Sequence, residues 1–175
     1  MPCPASEVSY LALAATILAL SALRMGARVQ ATLWSHTGSF RTTDGFTRDE
    51  RKILGVVTGY LGGGTAFPLH VLRDTYAERK PGDPPVHIAV ISDDGVDTIL
   101  SADEKGNDGA GIARSALEKA RGGGTLVLNI PSVERFAAGK RLAEIGFRIH
   151  AVSAWEDLIA FARAFVRESY GEGRA

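Results

Sequence analysis

One stretch constrains the fold of this chain more than any other: V-H-I-A-V-I-S-D-D-G-V-D-T, residues 86–98. Its first six positions are apolar except for His87, it is rich in β-branched residues, and Pro84-Pro85 closes off what precedes it. A short continuous apolar run between turn signals reads as a strand buried on both faces. It stops at Ser92-Asp93-Asp94-Gly95. In open α/β sheets ligands bind outside the carboxyl ends of the strands, so acids placed there are candidates for function.

The remaining apolar runs fit around that strand. Ser6 is placed to cap a helix reaching Met25, with Gly26 as its stop. Its apolar residues go nearly all the way round, which predicts cover on both sides. Residues 28–35 (R-V-Q-A-T-L-W-S) alternate like a strand nearer the sheet edge, and a short edge strand is expected near Phe40. Thr47-Arg48-Asp49-Glu50 has the form of a capping box, opening a helix with Ile53, Leu54, Val57 and Leu61 on one stripe and ending at Gly62.

Thr65 is placed to cap the following helix, with Pro68 in its first turn. Beyond the acidic turn, Asn107 or Asp108 starts a helix, residues 125–130 form a second buried strand, and 132–145 read as helix stopped by Gly146. Residues 147–152 form a third strand, and Ser153-Ala154-Trp155-Glu156 opens the last helix as a second capping box. The triplet Gly122-Gly123-Gly124 reads as the stop of the helix before it. Strands alternating with helices predict a doubly wound, mostly parallel α/β sheet with helices on both faces. At 175 residues the chain is expected to be one domain, 1–175.

Composition narrows the function. Acidic and basic residues balance at 20 each, so no electrostatic footprint for nucleic acid or anionic lipid is present. Cys3 is the only cysteine, which excludes a disulfide within the chain and suits a reducing compartment. The uncharged segment 8–23 lacks a basic leader and is short for a bilayer span, so it reads as a core helix and the protein as cytoplasmic.

Three residues stand out for chemistry. Asp93 and Asp94 put adjacent carboxylates where a hard cation or polar ligand would sit, although Asp-Asp-Gly is also ordinary turn chemistry. Thr65 follows Gly62-Gly63-Gly64, which allows close backbone approach. This loop is no phosphate-binding P-loop, because no lysine precedes the threonine and no strand feeds it. Residues 103–108 hint at a calcium loop, but Lys105 and Arg114 fall on ligand positions and exclude it. The four histidines have no metal spacing.

In order and motifs the chain resembles a von Willebrand factor A domain across nearly its whole length. An apolar first helix is followed by R-V-Q-A-T-L-W-S, then a helix, G-G-G-T, another helix, and V-I-S-D-D-G where the family has a strand ending in Thr-Asp-Gly. The resemblance implies a metal-ion-dependent adhesion site at the carboxyl edge, where a divalent cation, usually magnesium, recruits an acidic group of a protein partner. It makes Thr65 the loop threonine ligand and Asp93 the aspartate after the strand, with Asp94 the close alternative because it directly precedes Gly95. It also implies work beside an AAA-type ATPase or inside a larger assembly.

The family's first strand carries Asp-x-Ser-x-Ser, and no such motif occurs in this chain. The expectation is therefore an N-terminally truncated domain with an incomplete magnesium site, a binding module rather than an enzyme. A gap is then expected between the strands at 28 and 86, unless they close up and pair. The rival class is a Rossmann-like enzyme using Asp93 or Asp94 as metal ligand or general base.

Overall fold

The computed structural model describes residues 9–170. In chain order these form α1 (Ser9–Arg24), the hairpin β1 (Thr32–His36) and β2 (Ser39–Thr42), α2 (Glu50–Val57), α3 (Leu69–Ala77) and β3 (Val86–Ser92). A 3-10 helix (Asp94–Leu100), α4 (Gly109–Ala120), β4 (Arg121–Leu128), α5 (Gly139–Ile145), β5 (Phe147–Ala151) and α6 (Trp155–Tyr170) follow. The expected cap at Ser6 lies outside the described residues.

The run at 86 is a strand as expected, but only one of its faces is fully buried: Ile88, Val90 and Ser92 are buried, whereas Ala89 is exposed and His87 and Ile91 are half-buried. β3, β4 and β5 form a three-stranded parallel sheet in that order, with β4 in the middle. One face carries Ile88, Val90, Leu126, Leu128 and Phe147 against α3, α4 and α5. The other carries Ile91, Val127 and Val152 against α1 and α6. The architecture is thus mixed α/β, a parallel sheet flanked by helices on both faces. Leu126, Val127 and Leu128 are fully buried, as a strand covered on both sides requires.

One part of the expected sheet is not continuous. β1 and β2 pair only with each other, antiparallel, in a separate two-stranded sheet. No hydrogen-bonded ladder joins β1 to β3, so among the described residues β3 is an edge strand, the open one of the two outcomes expected. The helix α1 links the two sheets: Ala14 and Leu18 pack over β4 and α6, while Ala19 packs with Ala31 and Ile53. Its cover is less complete than its all-round apolar sequence predicts, since Leu11, Leu13, Ile17, Leu20 and Leu23 are only half-buried.

Several boundaries differ from expectation, each for a local or tertiary reason. The strand expected from Arg28 begins at Thr32, because Thr43 Oγ1 takes the Ala31 N–H and Val29 bridges only Thr47. The helix expected to end at Gly62 ends at Val57: the Thr58 hydroxyl donates to Leu54 O at 2.7 Å, competing for that carbonyl. Its cap is Asp49, whose Oδ1 accepts from the Arg51 and Lys52 amides, and not Thr47.

Residues 132–138 make successive three-residue turns, Phe136 N–H to Val133 O and Gly139 N–H to Phe136 O, so α5 starts only at Gly139. The last helix is capped by Asp157, which accepts from the Ser153 and Ala154 amides, and not through Glu156.

Gly122-Gly123-Gly124 is strand, not a helix stop; Arg121, at φ 61°, makes the left-handed turn out of α4 instead. A Cβ on Gly122 would lie 2.4 Å from Val86 O, and one on Gly124 2.5 Å from Leu117 Cδ2. The glycines are there because β3, α4 and β5 press against this part of β4.

Candidate functional site

The carboxyl end of β3 gathers two of the three residues singled out in the sequence. Asp93 follows the strand directly and caps the 3-10 helix, its Oδ1 accepting from Gly95 N–H at 3.0 Å. This is an Asx turn, which the Asp-x-Gly spelling specifies locally. Thr65, 28 residues earlier, donates from Oγ1 to the other carboxylate oxygen, Asp93 Oδ2, at 3.3 Å. Asp94 begins the 3-10 helix and is exposed, and no hydrogen bond links it to Thr65.

Thr65 was expected to cap α3, and the structure corrects this. The cap position is Pro68, with no side-chain hydrogen bond to the helix. Thr65 lies too far upstream because Phe67 intervenes, buried in the main core and stacked edge-on to Trp34 with ring centroids 5.3 Å apart. The threonine hydroxyl is thereby free of helix capping and turned to the carboxylate.

The loop carrying Thr65 is stitched to both sheets. Ala66 N–H donates to Ser35 O at the end of β1. Phe67 N–H donates to Thr98 Oγ1 at 2.8 Å, and that hydroxyl in turn donates to Gly95 O at 2.8 Å. Gly95 has no space for a side chain: a Cβ would stand 2.5 Å from Thr65 Cβ and 3.1 Å from Asp93 Oδ1. Thr98 and Gly95 are thus positioning residues that sequence reasoning passed over. The signal for Gly95 was the Asx-turn spacing, whereas nothing local marks Thr98.

Among the described residues no group of three or more histidine, cysteine, aspartate or glutamate side chains is placed to hold a metal. At the edge formed by Thr65 and Asp93 the paired oxygens are Thr65 Oγ1 and Asp93 Oδ2, with Asp93 Oδ1 already engaged by Gly95. Magnesium demands near-octahedral oxygen geometry and keeps waters where protein ligands are few.

A second polar cluster, at 103–107, is structural. Asp103 is buried, and its Oδ1 accepts from Lys105 N–H, Asn107 N–H and Asn107 Nδ2, while Oδ2 accepts from Asn107 Nδ2 and Arg73. Burial alone would push this carboxyl up. The Asn107 side chain and backbone, then Lys105 N–H and Arg73, more than offset it and hold it at about 2. The residues that hinted at a calcium loop therefore fold inward around one carboxylate, and Arg73 of α3 supplies the positive charge.

The histidines inside strands are also structural. His87 sits between Gly122 O, at 2.7 Å from Nδ1, and Thr125 Oγ1, at 2.9 Å from Nε2, with Phe165 edge-on. Burial lowers its pKa below the usual 6.5. His150 packs on Phe161. Among the described residues no helix is long and apolar enough to cross a membrane. Compared with protein-family profiles, with curated proteins and with solved structures, the chain matches none.

Proposed function

We propose that this chain is a protein-binding module of von Willebrand factor A type, whose divalent-cation site at the carboxyl end of β3 is incomplete. The single observation behind the reading is the contact of Thr65 Oγ1 with Asp93 Oδ2 at 3.3 Å. The resemblance pairs a loop threonine with an aspartate after the central strand, and these two residues meet across 28 positions of sequence. The parallel sheet with helices on both faces is compatible with it.

In the family the cation would link these oxygens to an acidic group of a partner. Two oxygen donors do not fit a complete magnesium shell, so no binding step is assigned to the metal here. What the chain supplies itself is a rigid hydroxyl–carboxylate pair at a sheet edge, held by Gly95 and Thr98. Asp94, exposed beside it, is the further carboxylate within the same turn. A protein partner offering an acidic group, in a larger assembly or beside an AAA-type ATPase, is the class of ligand the reading implies.

Titration with magnesium, without and with acetate as a stand-in for the acidic group, tests this when followed by amide shifts. The reading expects Thr65 and Gly95 to respond without saturating at millimolar metal, and to respond more when acetate is present. Tight stoichiometric binding abolished by Asp93→Ala would overturn the incompleteness of the site. No response at Thr65 or Gly95 under any condition would overturn the site itself.

A further inference from the structure

The outer edge of β5 is a second surface, independent of the hydroxyl–carboxylate pair. It is the far side of the parallel sheet β3-β4-β5, and no strand pairs with it among the described residues. Val152 N–H donates to Leu128 O, on the β4 side. Backbone groups of a strand alternate in direction, so Ile149 and Ala151 turn their N–H and C=O outward. Both residues are only half-buried.

A groove of about 710 Å³ runs along this edge, a size typical of ligand sites. Phe147, Arg148, Ile149 and His150 all line it. Successive side chains of a strand point to opposite faces, so a groove touching these in a row follows the edge between the faces. Its opposite wall is apolar at Val133, Phe136 and Ala143, and carries Glu134 and Lys140. The side chains of β5 are sorted by face. Phe147 and Ile149 pack with the main core, whereas the His150 ring lies against Phe161 of α6 with centroids 5.0 Å apart. Arg148, which is exposed, shares the face of His150.

We propose that this groove takes one extended segment of a partner protein, in which apolar residues alternate with acidic ones, added as a strand on β5. The outward amides and carbonyls of Ile149 and Ala151 specify an extended backbone, which repeats donors and acceptors at their spacing. Side chains two apart on the added strand share a face. Its apolar set therefore meets Ile149, Phe136 and Ala143, and its acidic set meets Arg148 and His150. Lys140 and Arg148 outnumber Glu134 in the groove, so a basic segment would set like charges opposite one another, which is unfavourable. A second copy of β5 lacks the acids: pairing antiparallel about Ile149, it would bring Arg148 against His150. Nowhere in the 175 residues do two acidic residues stand two positions apart, so the segment belongs to another protein.

Hydrogen–deuterium exchange on the full chain tests this, with a short acetylated peptide of alternating valine and glutamate as the probe. With about nine-tenths of the sites occupied, exchange at the Ile149 and Ala151 amides slows about tenfold. The same peptide N-methylated at alternate residues gives no such protection. A peptide of alternating valine and lysine binds roughly threefold to tenfold more weakly, as exposed charge pairs allow. Arg148→Glu, at an exposed position, keeps the fold and reverses that preference. Unchanged exchange at Ile149 and Ala151 with the glutamate peptide in excess overturns the proposal, as does equal protection by the N-methylated peptide. Equal binding of the glutamate and lysine peptides, or a preference that Arg148→Glu leaves unaltered, overturns the acidic partner. Protection that appears without peptide and vanishes on dilution overturns it in favour of self-association.

Discussion

Val90→Ala and Asp93→Asn, three residues apart, should differ in cost in a way that separates core from site. Val90 is 7 % exposed and packs with Ile88, Leu126 and Leu128 in the main core. Truncation removes two buried methyl groups, about 1.6 kcal/mol at about 0.8 kcal/mol each. The cavity left among side chains on a rigid sheet raises this to about 2–3 kcal/mol.

Asp93→Asn keeps an oxygen for the Gly95 amide, and asparagine caps as well as aspartate. The Thr65 hydroxyl can rotate to accept from the new amide. What is lost is the charge at the start of the 3-10 helix, about 0.3–1 kcal/mol. Urea unfolding at neutral pH, with equal slopes for all three proteins, measures both. In thermal melts Val90→Ala should fall by roughly 4–12 °C and Asp93→Asn by less than about half of that. If Asp93→Asn costs as much as Val90→Ala, the carboxylate is a structural clasp and the assignment of Asp93 to a binding edge fails.

Three further outcomes are expected. Burial lowers the His87 pKa from 6.5, against the opposing pull of Gly122 O. The unfolded chain therefore takes up the proton first, and stability should be level above pH 6.5 and fall below it. His87→Gln should flatten that limb of a stability–pH curve, and an unaltered slope would exclude His87 as its cause.

Asp103, held at about 2 against the usual 3.8, contributes stability that is full above 3.8 and lost as pH falls towards 2. Acid unfolding of Asp103→Asn should lack that loss, while its stability at neutral pH is lower than that of the parent. Gly122→Ala places a Cβ 2.4 Å from Val86 O. Because that neighbour is backbone, the strands must part, at a cost on the order of 1–3 kcal/mol. A melting temperature within about 1 °C of the parent would show that β3 and β4 are not pressed together there.

Sequence alone determined what depends on a few neighbouring residues. The apolar run of β4 announced its burial, those of β3 and β5 their strands, Asn107-Asp108 a helix start that falls on Asp108, Gly146 the end of α5, and Asp93-x-Gly95 its turn. Parallel pairing of these strands followed from their alternation with helices. Tertiary structure decided everything that rests on distance across the chain. The glycine triplet at 122–124 looked like punctuation because its reason, the pressure of Val86 and Leu117, lies on other elements.

Thr65 has the spelling of a helix cap, yet its hydroxyl meets Asp93 because Phe67 takes the core position that separates it from α3. Asp103 and Arg73 are brought together across 30 residues by the packing of α3 beside the turn. Whether the strands near 28 and 86 pair or stay apart was decided by the tertiary structure, which leaves β3 at a sheet edge among the described residues, because an apolar run carries the signal for burial of its faces but none for how many partners its backbone finds.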